Sequence, residues 1–417
     1  MRFTREGSGK RRVVITGMST ITSIGDTWDS VFESLQAGRS GICHIPAWQA
    51  CEGLNTALAG PVMNFFRPAH YPRKKIRGMG RLALMSTVAT ERALEQSGLL
   101  GDPVLSGGHT GIAYGSSIGS TGPIRAFGHL LENNEVGGIN ANSYIQMMPH
   151  TAPVNIALFF GIRGRLIPTS SACTSGSQAI GLAYETIADG RQSVMIAGGG
   201  EELCITEGAV FDTLFATSTR NDQPDKTPRP FDRDRDGLVI GEGAGTLILE
   251  DLEYALARGA TVLAEVVGFG TNMDGIHITQ PTAETMAVAM KLALEDAVVS
   301  SDAIGYINAH GTATDRGDIA ESAATHGVFG ERMPISSMKS YLGHTLGACG
   351  AIEAWACVHM MNHDWYMPTL NLDHVDEACA RLDYIQGSGR QMQNEYVMSN
   401  NFAFGGVNTS LIFKRWR

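Results

Sequence analysis

The stretch RALEQSGLL (residues 92–100) leads to the strand-like GIAYGSS (111–117), and LALEDAVVS (292–300) leads to GYINAHG (305–311). Each reads as a helix that runs out through a turn into an apolar strand. The two copies stand 200 residues apart. A second match, SQAIGLA (177–183) with CGAIEAW (349–355), stands 172 residues apart, and both segments follow a turn rich in small residues. Two matches in the same order and at similar spacing favour two related halves in one architecture. The junction is placed at Arg258 and Gly259, ahead of TVLAEVVGFG, which gives a half at 12–258 and a half at 259–417 behind a loose polar tail at 1–11. No linker-like composition separates the halves, so they are expected to pack together.

Outward from the repeat, RRVVITGMSTITSIG reads as a buried strand entering a glycine-rich loop, and TWDSVFESLQAG as an amphipathic helix with a glycine stop. RQSVMIAGGGEE and AGTLILEDL continue the strands, with helical stretches between. Strand alternating with helix throughout predicts an α/β fold with substantial parallel sheet. The bulk numbers agree: 417 residues, 43% hydrophobic and 18% charged, describe a well-cored globular chain. Fifty glycines beside fifteen prolines point to tight turns rather than disorder. A net charge of −10 argues against general nucleic-acid binding. The seven cysteines are odd in number and form no CxxC, so neither a disulfide framework nor a zinc knuckle is indicated, and a reducing cytoplasm fits. The basic start MRFTREGSGKRR has no apolar run behind it long enough for a signal peptide or a membrane span.

Three segments can carry chemistry. SSACTSGSQAIG (170–181) places Cys173 where a small-residue helix begins, and the free N–H groups and dipole at a helix start stabilise a thiolate. NAHGTATDRGDIAE puts His310 in a loop just past an apolar strand, and SMKSYLGHTLGACGAIE carries Lys339, His344 and Glu353. SNNFAFGGVN adds Phe404 among glycines near the C-terminus. A thiolate with two histidines suits acyl transfer: sulfur takes the acyl group as a thioester, while neutral imidazoles and backbone N–H groups donate to developing oxyanions.

Plainer readings compete. Free cysteine is among the most buried residue types, so Cys173 alone reads as core, as do Cys204, Cys349 and Cys357. His70, His277, His326, His363 and His374 read as structural. His359 and His363 stand four apart without the glutamate of a zinc-protease helix, so no metal is expected. GSSIG (115–119) fits the nucleophile elbow of a serine hydrolase with Ser117 as nucleophile, although no acid and histidine follow as an obvious pair. GEGAG (241–245) lacks the spacing of a dinucleotide fingerprint.

Taken together the motifs SSACTSG, STRND, RPFDRDRDGLVIGEGAG, INAHGTATDRGD, KSYLGHTLGACGAIEA and FAFGGVN resemble, in order and over nearly the whole chain, the β-ketoacyl-[acyl-carrier-protein] synthases of the type I/II branch. The resemblance implies a thiolase-like fold, layered αβαβα from two related halves, and a decarboxylative condensation with no cofactor beyond the phosphopantetheine arm of the carrier protein. It implies Cys173 as the acyl acceptor, His310 and His344 as the pair assisting decarboxylation, Lys339 beside the second histidine, and Glu353 as the buried acid near the substrate. Phe404 resembles the gate whose N–H joins that of Cys173 in an oxyanion hole. Thr312 and Thr314 resemble the threonines that hold the arm, and Ile118 a residue of the acyl pocket. Acyl carrier protein is the implied partner; the basic run PRKKIRGMGR (72–81) holds Lys74 and Arg77 at docking positions, with Lys75 an added charge, and a solvated helix face as the plainer reading. A homodimer is implied, with a heterodimer of condensing-enzyme subunits also open. Ala403 and Val407 depart from the family pattern and bear on the acyl chain, fatty or polyene, rather than on the reaction. A non-catalytic partner subunit is the alternative outside enzymology, and retention of Cys173, His310 and His344 speaks against it.

Overall fold

The structure, a computed structural model, describes residues 9–417. Ten strands form its frame: β1 (Val13–Ile21), β2 (Thr110–Gly115), β3 (Leu166–Thr169), β4 (Val194–Glu201), β5 (Gly243–Asp251), β6 (Ala264–Met273), β7 (Ile304–Asn308), β8 (Pro334–Ser336), β9 (Tyr396–Phe402) and β10 (Val407–Arg415). With the short strand Asp383–Tyr384 at one edge they make an eleven-stranded sheet, ordered β8-β7-β9-β10-β6-β1-β5-β4-β2-β3 inward from that edge. Read outward from the middle, β1-β5-β4-β2-β3 repeats as β6-β10-β9-β7-β8. In both arms the pairings run antiparallel, antiparallel, parallel, parallel. Within the sheet, among the described residues, the arms join where Val13–Ile15 pairs with Ala264–Val266.

Six helices cover this ribbon: α1 (Arg81–Ser97), α2 (Thr151–Phe160), α3 (Ser175–Ala188), α4 (Ala283–Ala297), α5 (Asp315–Phe329) and α6 (Cys349–Asn362). Helices α3 and α6 touch each other and strands of both arms, so they form a middle layer, whereas α1 packs on β1 and β5 and α4 on β6 and β10 from outside. The result is the expected αβαβα stack. Strands β1, β4 and β5 are buried at every position, as strands covered on both faces must be.

The repeat seen in the sequence corresponds to this symmetry. Helices α1 and α4 end 200 residues apart in left-handed caps, Gly98 at φ +73° and Val298 at φ +55°. The middle-layer helices correspond at 174 residues rather than 172: Ser175 and Cys349 open them, Ala188 and Asn362 close them. That register pairs Gly176 with Gly350, where the helices cross. A Cβ on Gly350 would stand 2.5 Å from the Ser177 nitrogen, and one on Gly176 2.9 Å from the Gly347 oxygen, so only glycine lets the two helix starts approach this closely. The sequence match rests on alanine and isoleucine identities; packing selects the glycines instead.

Residues 1–8 of the expected tail lie outside the described residues. Its remainder is anchored: the Arg11 N–H donates to the Ala188 oxygen at 3.0 Å and its guanidinium lies 3.3 Å from Asp251. No helix among the described residues is long and apolar enough to cross a membrane.

Candidate active site

The strand ends that face one another across the two arms supply the site, in the crevice beyond the carboxyl ends of the strands. After β3 the chain turns through Ala172–Thr174, a tight helical turn with Ala172 at φ +50°, and enters α3. The matching turn, Leu346–Ala348, has Leu346 at φ +45° and leads into α6. Cys173 therefore occupies in the first arm the position of Gly347 in the second. Glu201, buried at the end of β4, ties the Leu346–Ala348 turn to the loop after β2 by accepting from the backbone of Gly347 (2.9 Å) and of Ser117 (2.8 Å) and from the Ser116 hydroxyl (3.0 Å).

His344 reaches the sulfur from the second arm. Its backbone N–H donates to the Val239 oxygen at 2.7 Å, and Gly343, at φ +73°, makes the turn that presents it. His344 Nε2 lies 2.9 Å from Cys173 Sγ, while the Leu346 N–H donates to Nδ1 at 3.3 Å. An Nδ1 that accepts leaves the proton of a neutral ring on Nε2, so His344 presents a donor to the sulfur.

His310 follows β7. Its backbone N–H and that of Gly311 donate to the two oxygens of buried Glu321, each at 2.7 Å. Its ring stands edge-on to His344, centroids 5.1 Å apart, and one nitrogen of each ring and Cys173 Sγ lie within 4.8 Å of one another. Asn401 donates its amide to Glu353 at 2.6 Å, which fixes its orientation, and the same nitrogen lies 3.5 Å from His310 Nδ1. His310, too, presents Nε2–H.

Burial and charge hold this set in defined states. Burial, then the charge of Lys339, pulls His310 well below the ordinary imidazole range, with His344 adding to it; His344 is lowered by the same two causes. Both rings are neutral at pH 7. Burial works to deprotonate Lys339, but Glu353, whose Oε1 is 2.5 Å from Nζ, outweighs it, and the ammonium remains charged. Burial pushes the Cys173 thiol up to about 11, against the pull of Lys339 and of the backbone N–H groups of Phe404 and of Cys173 itself. This corrects the expectation of a standing thiolate: the helix start and the dipoles are in place, but complete burial outweighs them. Burial also raises Glu321 to about 8.

A cleft of about 560 Å³ opens from the sulfur to the surface. Cys173, His310, His344, Phe404, Thr312 and Thr314 share its wall, with the two threonine hydroxyls 2.9 Å apart. Phe404 sits in the turn between β9 and β10, its ring 4.8 Å from that of Phe211. Lys339 and Glu353 lie behind the histidines rather than on the cleft, so Glu353 as a substrate contact is corrected: its oxygens are taken by Lys339 and Asn401. Ile118 is not on this wall either; its half-buried loop packs on the Leu346–Ala348 turn, where a Cβ on Gly347 would stand 2.7 Å from the Ser117 nitrogen. Ser117 is on no nucleophile elbow, since the next helix starts only at Ile124. Lys74 and Arg77 are exposed on or beside the short helix Arg73–Ile76; exposed Lys75 instead donates to the Phe159 oxygen at 2.9 Å and lies over that ring. His277, expected to be structural, is exposed and lines the cleft, and Cys204 is half-buried rather than core. Glu321, Glu201 and Asn401 were not foreseen. Glu321 had a signal, an acid eleven residues past His310 within the quoted motif.

Comparison with known proteins places this geometry. The pattern described as "Beta-ketoacyl synthase, N-terminal domain" matches residues 10–255, and "Beta-ketoacyl synthase, C-terminal domain" matches 263–373. The chain is 39% identical over 414 residues to 3-oxoacyl-[acyl-carrier-protein] synthase 2 of Vibrio cholerae serotype O1, covering 97% of this chain and 99% of that one. A crystal structure of a beta-ketoacyl synthase from Burkholderia phymatum STM815 superposes with a TM-score of 0.97 at 61% identity, covering 98% and 100% of the two chains. A type II PKS acyl-carrier protein in complex with its ketosynthase, bound to the hexaketide, matches with a TM-score of 0.86 at 29% identity, covering 98% and 100%.

Proposed function

Since this chain belongs to the beta-ketoacyl synthase family, we propose how its own residues carry out the family's reaction. That reaction condenses an acyl thioester with malonyl-acyl-carrier-protein and gives 3-oxoacyl-acyl-carrier-protein, as in fatty-acid elongation. Cys173 sulfur attacks the acyl thioester; the carrier's thiol leaves with the proton the cysteine gives up. Malonyl thioester then enters the same cleft. Nε2–H of His310 and of His344 donate to its thioester oxygen as carbon dioxide departs, which stabilises the enolate left behind. The enolate carbon attacks the Cys173 thioester, the oxyanion sits against the N–H groups of Phe404 and Cys173, and the sulfur is expelled and takes a proton from solvent. Burial, reinforced by Lys339 held charged by Glu353, keeps both rings neutral and therefore able to donate without having to lose a proton first. Thr312 and Thr314 line the path of the arm. Convergence of the sulfur with two neutral donor nitrogens within 4.8 Å carries this reading.

His310→Ala and His344→Ala should each suppress carbon dioxide release from malonyl-carrier protein by about 10²–10³ while leaving acyl loading of Cys173 closer to wild type. Loading lost and decarboxylation kept would contradict the roles.

Acyl carrier protein is the partner, and the exposed cations Lys74 and Arg77 offer it an acidic-helix docking site; Lys75 contributes less, being committed to Phe159. The outer edge of β3 is unpaired in the sheet order and Leu166 on it is 38% exposed, so we place the dimer contact of two copies there. Size-exclusion with light scattering should give twice the chain mass; a monomer would contradict it, and a stable pair only with a different subunit would make the assembly heterodimeric. We further place the protein in the cytoplasm and the boundary between halves at 258/259. A second reading, elongation in a polyketide- or polyene-type pathway, is favoured by the ketosynthase of the carrier-protein complex above. A panel of saturated, unsaturated and aryl acyl-carrier proteins separates the two by which one yields product.

A further inference from the structure

The cleft wall carries more charge than the reaction uses, and its charged groups differ in how far they are already committed. Arg235, on the wall, is paired with Asp376, Asp315 and Asp318. Among the carboxylates, Asp274 accepts from Asn408 and Thr285, and Asp236 accepts from Ser218 and the Thr219 N–H. Arg316 is different. It lines the cleft, is exposed, and makes no ion pair or hydrogen bond among the described residues. His277, also exposed on the wall, accepts the Thr279 N–H at Nδ1 (3.1 Å), so its Nε2 is free to donate.

Exposure orders the wall by depth. Cys173, His310 and His344 are buried and form the floor; Thr312 is 8% exposed; Arg316, His277, Ile278 and Phe215 are open to solvent and form the mouth. A substrate arm that runs from the sulfur past the threonines thus leaves the protein beside an uncommitted guanidinium and a free imidazole N–H, in a chain of net charge −10. A guanidinium's planar fork matches the oxygens of a phosphate.

We propose that Arg316, with His277 Nε2–H as a second donor, forms a phosphate subsite at the cleft mouth that holds the phosphodiester of the carrier-borne arm. This rests on the condensing reading above and adds a binding group to it. The subsite sets where the arm stops, so it fixes how deep the thioester reaches toward Cys173. Because the mouth is solvated, the ion pair contributes about fivefold in affinity, the upper range for an exposed pair.

The test uses small thioesters without a protein carrier, so that docking at Lys74 and Arg77 does not enter. Malonyl-phosphopantetheine and malonyl-pantetheine differ only by the phosphate. In the wild-type enzyme the phosphate should lower KM for carbon dioxide release about fivefold with kcat little changed. In Arg316→Ala that preference should fall below about twofold, Arg316→Lys should restore part of it, and malonyl-pantetheine should be handled as by wild type. An undiminished phosphate preference in Arg316→Ala, or none in the wild type, overturns the subsite. Release from neither compound by the wild-type enzyme overturns the condensing reading instead; calorimetric binding of phosphopantetheine against pantetheine to wild type and Arg316→Ala then still decides the subsite, equal affinities in the two proteins refuting it.

Discussion

Lys339 and Glu353 are each 2% exposed and stand 2.5 Å apart, a buried pair of opposite charges directly behind the two histidines. Replacing Lys339 by methionine keeps the volume and strands the carboxylate. A buried charge left without its partner costs about 3–5 kcal/mol. Glu353→Gln in the same chain removes the stranded charge and keeps an acceptor for Asn401, so the double variant should recover to within about 1–2 kcal/mol of wild type. Glu353→Gln alone strands the ammonium at a similar cost, so the coupling energy from the cycle is at least about 4 kcal/mol. Urea unfolding of wild type, both singles and the double measures it. Activity should not recover in parallel. Burial first and Lys339 second depress both imidazoles, so loss of Lys339 lets them rise part of the way toward the ordinary imidazole range. In wild type the rings are neutral and donating across the range above their lowered pKa values, and the rate should be flat from pH 6 to 8 on their account. In the double variant burial still holds the rings low but the Lys339 contribution is gone, so protonation sets in at higher pH and the acid limb should lie above that of wild type. Additive stability effects, or a double variant whose pH profile is superposable on wild type, would refute the reasoning.

Further outcomes follow from the same geometry. Alkylation of Cys173 by iodoacetamide should accelerate close to tenfold per pH unit between pH 7 and 9, since a thiol raised to about 11 is still protonated there; a rate already level at pH 7 would mean a standing thiolate. Gly350→Ala should destabilise by about 1–3 kcal/mol, because its Cβ would stand 2.5 Å from the Ser177 nitrogen and backbone cannot step aside; unchanged unfolding would remove the glycine crossing from the account. Lys74→Glu with Arg77→Glu should weaken carrier-protein binding at low salt and lose the effect at high salt, whereas Lys75→Glu should act mainly on stability through Phe159. Equal binding loss from all three would put Lys75 back among the docking residues.

Much of the fold was legible because the hydrophobic pattern is redundant. Strands buried on both faces write themselves as apolar runs, and the paired helix ends at 97 and 297 repeat in sequence as they do in space. The register of the middle layer was not legible at the residue level: identities at Ala179 and Ile180 suggested one offset, while the contact between Gly176 and Gly350 imposes another. Cys173, His310 and His344 were found because motifs carry them, each just past a strand end. What the sequence hid were groups acting through depth. Glu321 shares a motif with His310, but its position there does not report that its carboxylate folds back onto the His310 backbone. The protonation state of Cys173 is a matter of burial, which a helix-start motif does not report, and His277 could not be told from a structural histidine until the cleft was seen around it.

The most direct test of the account is mass spectrometry of the enzyme after incubation with acyl-carrier protein alone. The acyl mass should be found on the peptide containing Cys173, and Cys173→Ala should carry none and form no condensation product. An acyl group on Ser117 or Cys349, or a Cys173→Ala variant that condenses at near the wild-type rate, would contradict it.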